Sequence, residues 1–209
     1  MEDYRRKILG GLNPIPPETA TLLTGLPQRG DHDLNPKGVT EGSEPVALRL
    51  AAVLVAIIDY PQEPAVLLTR RAEHLDTHSG QVAFPGGKVE PREMPVAAAL
   101  REAEEEVGLD RSFVEVAGFL DTYETGSGFC ILPVVSFVRP GFTLTIDPAE
   151  VAEVFEVPLA FLMDPANHER HSVVWKGRRR DYYAMPYQGH YIWGATAGML
   201  KNLCDRVFV

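Results

Sequence analysis

The stretch that decides the fold is 84-FPGGKVEPREMPVAAALREAEEEVGL-109, in which four of the six residues between Arg101 and Gly108 are glutamates. Carboxylates three or four residues apart on a helix repel one another by about 0.2–0.5 kcal/mol for each pair. A solvated acidic surface is one reason for such crowding. The other is a site for a hard cation such as Mg²⁺, which takes its ligands from carboxylate oxygens.

The middle of this stretch predicts a helix from Pro95 to Val107. Proline is tolerated in the first turn of a helix, and Gly108 is a typical helix stop. Residues three or four positions apart share one face of a helix, which places Glu102, Glu105 and Glu106 together. A separate apolar stripe is expected to be buried, and it consists of Val96, Leu100, Ala103 and Val107.

The composition is typical of a globular protein, with 209 residues of which 45% are hydrophobic and 23% are charged. The net charge of −9 argues against nucleic acid or an acidic membrane as a partner, because both attract basic proteins. A small phosphorylated ligand is compatible with this charge if a metal and a few local cations offset it.

The expected location is the cytoplasm. Cys130 and Cys204 are too few for a disulfide framework and suit a reducing compartment. The longest apolar run, LAAVLVAII at 50–58, is too short to cross a bilayer, and the first residues lack the apolar core of a signal peptide.

Two regions are predicted along the chain, an N-terminal helix with an irregular arm at 1–47 and a folded domain at 48–209. A short helix is expected at 2–10. The rest of the arm is rich in Pro, Gly, Asn and Asp and has no sustained hydrophobic periodicity, which predicts irregular structure.

Strands are expected to dominate the folded domain. The strand segments are RLAAVLVAIIDY, AVLLTRR, GQVAFPGG with a glycine turn at its end, SFVEVAGFLDTY and CILPVVSFV. After them, EVAEVFEVPL leads into a short helix near 158–163, HSVVWKGRRRDYYAMPY predicts a hairpin turning at Lys176-Gly177, and IWGATAGMLKNLCDRV predicts a final amphipathic helix. This order of elements predicts a mixed sheet flanked by helices.

The spacing of residues in the quoted stretch resembles the signature of the Nudix hydrolases. The matching positions are Gly87, Glu93, Arg101, Glu102, Glu105, Glu106 and Gly108. The resemblance implies an α/β fold, the Nudix-type α/β/α sandwich with a mixed β-sheet, in which a strand-loop-helix-loop unit holds the diphosphate of a nucleoside derivative. It also implies Mg²⁺ or Mn²⁺ as the cofactor.

The same resemblance implies a role for each residue of the signature. Three glutamates would be metal ligands, namely Glu102, Glu105 and Glu106. Glu93 and Arg101 would form a structural ion pair that fixes the loop entering the helix, and Gly86 and Gly87 would let the backbone pass close to the phosphates. A metal held there would neutralise phosphate oxygens and activate the attacking water.

The sequence just upstream, LLTRRAEHLDTHSGQVAFPGG at 67–87, resembles an additional signature of the coenzyme A pyrophosphatase subgroup. The matching positions are Leu67, Leu68, Thr69, Arg71, Ala72, Gly80, Phe84, Pro85, Gly86 and Gly87. Asp76 departs from the pattern, which has arginine there. This resemblance implies cleavage of CoA or its thioesters to phosphopantetheine, or its acyl form, and adenosine 3′,5′-bisphosphate.

Two side chains in the upstream segment are candidates for substrate contact. Arg71 suits a phosphate or a carboxylate, with a structural ion pair as the alternative. Gln81 is the second candidate. If Asp76 is structural instead, its expected partner is Arg70 or Arg71.

Attack on phosphorus also requires a base or a group that orients water. The predicted helix offers Glu105 and Glu106 for this purpose. The later segment DPAEVAEVFEVPL offers Glu150 and Glu153, and Glu150 is the better match to the family pattern.

The expected partners are a small nucleoside diphosphate substrate, CoA before others, and a second copy of the chain in a homodimer. Neither nucleic acid nor a membrane is expected. A Nudix hydrolase for NADH or ADP-ribose is the alternative that Asp76 favours. A nucleotide-binding Nudix module without catalysis is a further alternative, which the complete set of carboxylates disfavours.

Overall fold

The computed structural model describes residues 2–17, 22, 28–35, 48–175 and 177–208. The helices in these ranges are α1 (Glu2–Gly11), α2 (Pro95–Val107), α3 (Leu159–Leu162) and α4 (Ala195–Val207). The strands are β1 (Arg29–Gly30), β2 (Arg49–Ile58), β3 (Ala65–Arg71), β4 (Val82–Ala83), β5 (Gly86–Lys88), β6 (Val114–Phe119), β7 (Tyr123–Glu124), β8 (Phe129–Val138), β9 (Val151–Pro158), β10 (Glu169–Trp175), β11 (Arg178–Tyr187) and β12 (His190–Trp193).

Strand β2 lies at the centre of the main sheet. Its sequence RLAAVLVAII is apolar after the first residue and is buried from Ala51 onward, which is typical of a strand covered on both faces. It pairs in parallel with β8 along its full length. Its other edge pairs antiparallel with β5 near its start and with β3 near its end.

The outer strands complete one mixed sheet. Strand β3 pairs antiparallel with β4 and β9, and β8 pairs antiparallel with β6 and β7. Strand β1 adds to β7 in parallel. In the part of the chain that the structure describes, β1 to β9 therefore belong to a single sheet, and the predicted α/β class with a mixed sheet is confirmed.

The main sheet lies between two helical layers because alternate residues of β2 point to opposite faces. On one face, a core cluster joins the sheet to α4 through Val53, Val55, Ile57, Ala197, Leu200 and Leu203. On the other face, a second cluster joins it to α2 through Ala52, Leu54, Ala56, Ala99, Ala103 and Val107. This arrangement is the α/β/α sandwich expected from the sequence.

Helix α2 has the bounds that the sequence predicts, Pro95 to Val107. Gly108 ends it in the left-handed conformation, with φ of 68°, and its amide donates to the carbonyl of Glu104. The predicted apolar stripe is only partly correct. Ala103 and Val107 are buried, Val96 and Leu100 are half-buried, and the buried positions also include Ala98, Ala99 and Glu106.

Three sequence-based strand assignments are wrong, and one of them is SFVEVAGFLDTY, which contains the two separate strands β6 and β7. The segment GQVAFPGG was expected to be one strand with a glycine turn, but it contains two short strands, and Gly86 and Gly87 pair with β2 as part of β5. Ile192 and Trp193 were expected in the last helix, but they belong to β12, which pairs with β11. Strand β5 is fixed by its pairing with the distant strand β2, whereas β12 is the second strand of a tight hairpin with β11, and both are too short to show a periodic pattern.

The C-terminal region adds a three-stranded antiparallel sheet in the order β10-β11-β12. The predicted hairpin between β10 and β11 is confirmed, and Gly177 lies in its turn with φ of 73°. Lys176, the other residue of the predicted turn, lies outside the described residues. None of the helices in the described ranges is long and apolar enough to cross a membrane.

The predicted N-terminal helix is confirmed as α1 and extends to Gly11. Ile8 is fully buried in the core cluster on the α4 face, and Leu12 joins it. Arg206 of α4 donates to the carbonyl of Gly11 at 2.7 Å, so the helix is attached to the C-terminal layer. The division into an arm at 1–47 and a domain at 48–209 stays a prediction, since much of the arm lies outside the described ranges.

Candidate active site

Three carboxylates converge at the C-terminal half of α2. Glu102, Glu106 and Glu150 each offer one oxygen, and these oxygens all lie within 4.8 Å of one another. We call these three residues the carboxylate group. Two of them come from consecutive turns of α2, and the third comes from the loop before β9, which is distant in sequence.

The loop that carries Glu150 is attached to the end of α2 by backbone hydrogen bonds. The amide of Thr145 donates to the carbonyl of Val107, and the amide of Asp147 donates to that of Glu106, both at 2.9 Å. These bonds satisfy carbonyls that a helix leaves free at its C-terminus. The carbonyl of Glu150 then accepts from Ala72 at 2.9 Å, which fixes the loop against the end of β3.

The glycines of β5 make room for the carboxylate group. A Cβ atom on Gly87 would lie only 2.5–2.6 Å from the carboxylate of Glu102. Gly86 has a φ of 152°, which side chains rarely adopt, and its amide donates to Oε2 of Glu106 at 3.1 Å. Gly87 is therefore required by the close approach of its backbone to Glu102. Gly86 is required by its positive φ and by β2, since a Cβ atom on Gly86 would lie 2.5 Å from the carbonyl oxygen of Ala52.

Glu93 and Arg101 form the ion pair that the sequence resemblance implies. Arg101 donates from Nε to Oε1 of Glu93 at 2.9 Å and from Nη2 to Oε2 at 3.0 Å, a bidentate arrangement. It also donates to the carbonyl of Lys88 at 3.3 Å. The hydrogen bonds from Arg101 lower the pKa of Glu93, and together these contacts connect β5, the following loop and α2.

Glu105 is not part of the carboxylate group. Its side chain is 59% exposed, and Oε2 accepts a hydrogen bond from Nη1 of Arg101 at 2.8 Å. The same nitrogen donates to Glu102 at 3.0 Å. Of the three glutamates on the predicted polar face of α2, the structure thus brings two together with Glu150 and directs the third toward Arg101.

The carboxylate group carries more negative charge than its surroundings offset. Burial raises the pKa of Glu106 to about 7, and the neighbouring Glu102 and Glu150 contribute in the same direction. Burial also raises the pKa of Glu102. The amide of Gly86 and the guanidinium of Arg71 oppose the shift at Glu106 without cancelling it.

Arg71 points toward the carboxylate group. Its Nη1 lies 3.8 Å from Oε1 of Glu106, and a bulge in β3 between Arg70 and Arg71 alters the direction of the strand at this point. The Nε atom of Arg71 is buried and has no hydrogen-bond partner among the described residues. A buried N–H without an acceptor costs free energy, so this guanidinium suits an anionic ligand.

Gln81 lies next to Arg71 on the neighbouring segment. Its carbonyl accepts from the amide of Arg71 at 2.9 Å, and its side-chain oxygen lies 2.9 Å from Nδ1 of His78. The two predicted substrate-binding side chains are therefore adjacent in the fold, and Arg71 is the one with direct contact to the carboxylate group.

Two other acidic residues lie apart from this group. Glu153 pairs with Arg70 at 3.1 Å and with His190 at 3.2 Å, and the bond from Arg70 lowers its pKa. Asp76 is exposed and has no hydrogen bond or ion pair within the ranges that the structure describes. The expected structural partners of Asp76, Arg70 and Arg71, are engaged with other carboxylates.

Asp147 is a positioning residue that the sequence analysis missed. Its side chain accepts from the amide of Ala149 at 2.9 Å, and its backbone accepts from Glu150 and Val151 at 3.1 and 2.9 Å. The available signal was the dipeptide Asp147-Pro148, since Asp before Pro favours a turn.

Comparison with known proteins is consistent with this geometry. The family model described as NUDIX domain matches residues 48–175. The chain is 43% identical over 162 residues to "Uncharacterized Nudix hydrolase NudL" of Photorhabdus laumondii, a match that covers 77% of this chain and 86% of the relative. It is 40% identical over 167 residues to the protein of the same name from Shigella flexneri, covering 79% and 86%.

Similarity to solved structures is more distant. A binary complex of the Ap4A hydrolase of C. elegans matches with a TM-score of 0.47 at 19% identity, covering 53% of this chain and 80% of that one. The family model matches more than half of the chain, and the relative from Photorhabdus laumondii is 43% identical over most of its length. Each of these two findings identifies the family. The chain belongs to the Nudix hydrolase family and is an enzyme that hydrolyses nucleoside diphosphate derivatives.

Proposed function

We propose that this enzyme cleaves the diphosphate of CoA or of CoA thioesters, with Mg²⁺ or Mn²⁺ as cofactor, in the cytoplasm. The products would be phosphopantetheine, or its acyl form, and adenosine 3′,5′-bisphosphate. The observation that carries the hydrolytic part of this proposal is the convergence of Glu102, Glu106 and Glu150 within 4.8 Å. The choice of CoA rests on the resemblance of residues 67–87 to the coenzyme A pyrophosphatase signature.

The residues present fit a divalent cation. All the donors of the carboxylate group are hard oxygens, which Mg²⁺ and Mn²⁺ prefer, and one oxygen from each residue lies within 4.8 Å of the other two. When bound, such an ion neutralises phosphate oxygens and lowers the pKa of a water molecule. Glu105 is proposed as an additional ligand that must first leave Arg101.

The chain's own side chains would then bind and orient the diphosphate. The guanidinium of Arg71, with its unpaired Nε, would donate to a phosphate oxygen, and Gln81 beside it would contact the same part of the substrate. Gly86 and Gly87 would hold the backbone of β5 beside the carboxylate group, close to the bound diphosphate. Glu93 and Arg101 would hold the loop between β5 and α2 in position.

Hydrolysis requires a group that accepts a proton from water while its oxygen bonds to phosphorus and the bridging P–O bond breaks. Glu150 is the proposed acceptor because it is the exposed member of the carboxylate group, whereas Glu106 is 3% exposed. Glu106 and Glu105 on α2 are the alternatives. We further propose that the enzyme acts as a homodimer.

Asp76 supports a second candidate substrate class. The coenzyme A subgroup has arginine at this position, where this chain has an exposed aspartate without an ion pair in the described residues. An anion here disfavours a substrate with an additional phosphate. ADP-ribose and NADH carry fewer phosphate groups than CoA and are the alternatives.

A substrate screen tests the proposal. Purified enzyme would be incubated with Mg²⁺ or Mn²⁺ and with CoA, acetyl-CoA, NADH, ADP-ribose or nucleoside triphosphates, and the products would be separated and quantified by liquid chromatography. We expect the highest kcat/KM with CoA or its thioester. A higher kcat/KM with ADP-ribose or NADH would reject CoA as the substrate, and no turnover with any diphosphate would reject hydrolysis at this site.

A further inference from the structure

A cavity of about 240 Å³ lies between α4, β7, β11 and the N-terminal segment at 29–34. Tyr123 of β7 is packed against α4 on the face of the sheet opposite to α2, so the cavity and the carboxylate group lie on different faces. Its volume is below the roughly 300–1,000 Å³ typical of sites for drug-sized ligands, which restricts it to a small molecule. Most of its walls lie outside the matched family domain at 48–175.

Asn202 of α4 lines this cavity and lacks a hydrogen-bond partner for one side-chain atom. The residue is 4% exposed, and its Nδ2 donates to Asp121 at 2.9 Å. Because Asp121 can only accept, the amide nitrogen must face it, which leaves Oδ1 as the free acceptor. That Oδ1 is buried without a partner among the described residues, so a donor is missing from the site.

The charged side chains around the cavity are mainly acidic. Among the described residues, four aspartates and two cations line it, namely Asp31, Asp33, Asp181, Asp205, Arg29 and Lys201. Asp205 is paired with Lys201, and Asp181 is paired with Arg170 and Arg179 from β10 and β11. Asp33 lies 3.9 Å from Arg29, which also lies 3.8 Å from Asp121.

Asp31 differs from the other aspartates because its hydrogen-bond donors are neutral. It accepts from the hydroxyl of Tyr123 at 3.0 Å and from the amide of Gly126 at 2.6 Å. No ion pair with Asp31 is formed within 4.0 Å by the residues that the structure describes. A carboxylate with only neutral donors, in the same cavity as an unpaired carbonyl oxygen, suits a ligand that brings positive charge and N–H groups.

The walls of the cavity are held in place from several elements. Asn35 donates to the carbonyls of Asp31 and Asp181 at 2.8 Å and accepts from the amide of Asp181 at 2.7 Å, which connects the N-terminal segment to β11. A Cβ atom on Gly198 would lie 2.5 Å from the hydroxyl of Tyr123, so glycine at this position of α4 lets that hydroxyl reach Asp31. The site is thus formed in the folded chain before any ligand arrives.

We propose that this cavity binds a small organic ammonium compound, separately from the carboxylate group and from the hydrolysed substrate. The ammonium would pair with Asp31 and donate to Oδ1 of Asn202, and the aromatic ring of Tyr183 in the cavity wall would contact the carbon chain. Phosphorylated ligands are disfavoured here by the excess of carboxylates over cations.

Isothermal titration calorimetry with 1,4-diaminobutane tests this site in the full-length protein. Saturating Mg²⁺ would be present throughout so that cation-binding carboxylates on the α2 face are occupied. We expect one saturable binding event. Asp31→Asn should weaken it about tenfold, because a charged hydrogen bond becomes a neutral one. Lys201→Met should strengthen it about threefold, because the competing cation is removed.

Two control variants show whether the diamine binds in this cavity or elsewhere on the protein. Asp110→Asn is a matched exchange at an exposed residue. Asparagine can still accept the capping hydrogen bond from the amide of Ser112, so the affinity for the diamine should be unchanged. Glu106→Gln should also leave it unchanged, since that residue lies in the carboxylate group. Melting temperatures would identify a variant that fails to fold, and if Asp31→Asn fails, Lys201→Met decides alone.

The proposal is overturned if no saturable binding occurs, or if a folded Asp31→Asn or Lys201→Met variant binds like the wild type. Loss of binding in Glu106→Gln would also overturn it, because the diamine would then occupy the carboxylate group. None of these results depends on whether CoA is hydrolysed, so failure here is distinguishable from failure of the proposed function.

Discussion

The two acidic regions of this enzyme differ in how their carboxylates are compensated. In the cavity beside α4, most aspartates have their own cation, as Asp205 has Lys201 and Asp181 has two arginines. Among the described residues, only two cations lie within 4.0 Å of the carboxylate group. Arg101 lies 3.0 Å from Glu102, and Arg71 lies 3.8 Å from Glu106. Negative charge that is concentrated but poorly offset therefore marks the C-terminal half of α2 as the place where a divalent cation is expected.

The difference has a structural cause. Asp205 lies one helical turn from Lys201, and Asp181 lies two residues from Arg179 on β11 and on the strand next to Arg170, so local geometry supplies the partner. The carboxylate group instead joins α2 to a loop that is anchored by hydrogen bonds to Val107 and Glu106. Bringing like charges together in this way costs free energy, which a bound cation would recover.

The largest expected effect comes from Glu106→Gln. The amide has the same shape and still accepts from Gly86, but it removes the charge of the buried carboxylate. We expect kcat to fall by about 10³-fold or more, since metal carboxylates stabilise charge that develops in the transition state. Steady-state kinetics at saturating Mg²⁺ would measure this.

The same substitution should not unfold the protein. Removing one of three crowded carboxylates lowers the repulsion in the metal-free state, so the melting temperature in EDTA should stay equal or rise. A kcat within tenfold of the wild type at saturating Mg²⁺ would remove Glu106 from the proposed metal site.

Glu150→Gln is expected to have the second largest effect, a loss of about 10²- to 10³-fold in kcat. It also separates two functions of this residue. If Glu150 only accepts a proton from water, the Mg²⁺ concentration for half-maximal activity should not change. If Glu150 is a metal ligand as well, that Mg²⁺ concentration should rise together with the loss in kcat. Unaltered activity would mean that the base is Glu105 or Glu106 on α2.

Glu106 lies on a helix that local sequence features predict, whereas Glu150 is brought to it from a distant segment. The bounds of α2 are set by Pro95 and Gly108, and the face that carries Glu102 and Glu106 follows from helical spacing. Such features depend on neighbours in the sequence and were predicted correctly. The resemblance to the Nudix signature added the expected fold, which the strand pairing and the family match confirm.

Features that depend on distant pairing did not follow from local sequence patterns, and Glu150 was expected only through the resemblance to the family. Glu105 and Glu106 are adjacent in sequence, but burial and the contact with Arg101 give them different surroundings. The three-residue strand β5, where the sequence predicted a glycine turn, has too few residues for a periodic pattern. The cavity beside α4 is built from segments that are more than 150 residues apart, including Asp31 and Asn202, so no local pattern indicates it.

The third prediction concerns Asp76, which has no ion pair in the described part of the chain. If the coenzyme A subgroup uses its arginine here for a phosphate, Asp76→Arg should lower KM for CoA about tenfold and change KM for ADP-ribose less. The measurement is the ratio of kcat/KM between the two substrates. Asp76→Asn is the matched control that removes the charge without adding a donor, and an unchanged ratio in Asp76→Arg would reject the selectivity argument.

The smallest expected effect distinguishes Glu105 from its neighbour Glu104. Both are exposed on α2 and both pair with an arginine, Glu105 with Arg101 at 2.8 Å and Glu104 with Arg111 at 2.6 Å. Exposed pairs of this kind contribute about 0–1 kcal/mol to stability, so both substitutions to glutamine should leave the melting temperature nearly unchanged.

The two variants should differ in their metal dependence. Glu105 lies one residue from Glu106 on the polar face of α2, and release from Arg101 would let it join the carboxylate group. Glu104 points away from that face. We therefore expect Glu105→Gln to raise the Mg²⁺ concentration for half-maximal activity about three- to tenfold, and Glu104→Gln to leave it unchanged. Equal Mg²⁺ titrations for the two variants would mean that Glu105 contributes only its ion pair, and that Glu102, Glu106 and Glu150 form the complete ligand set.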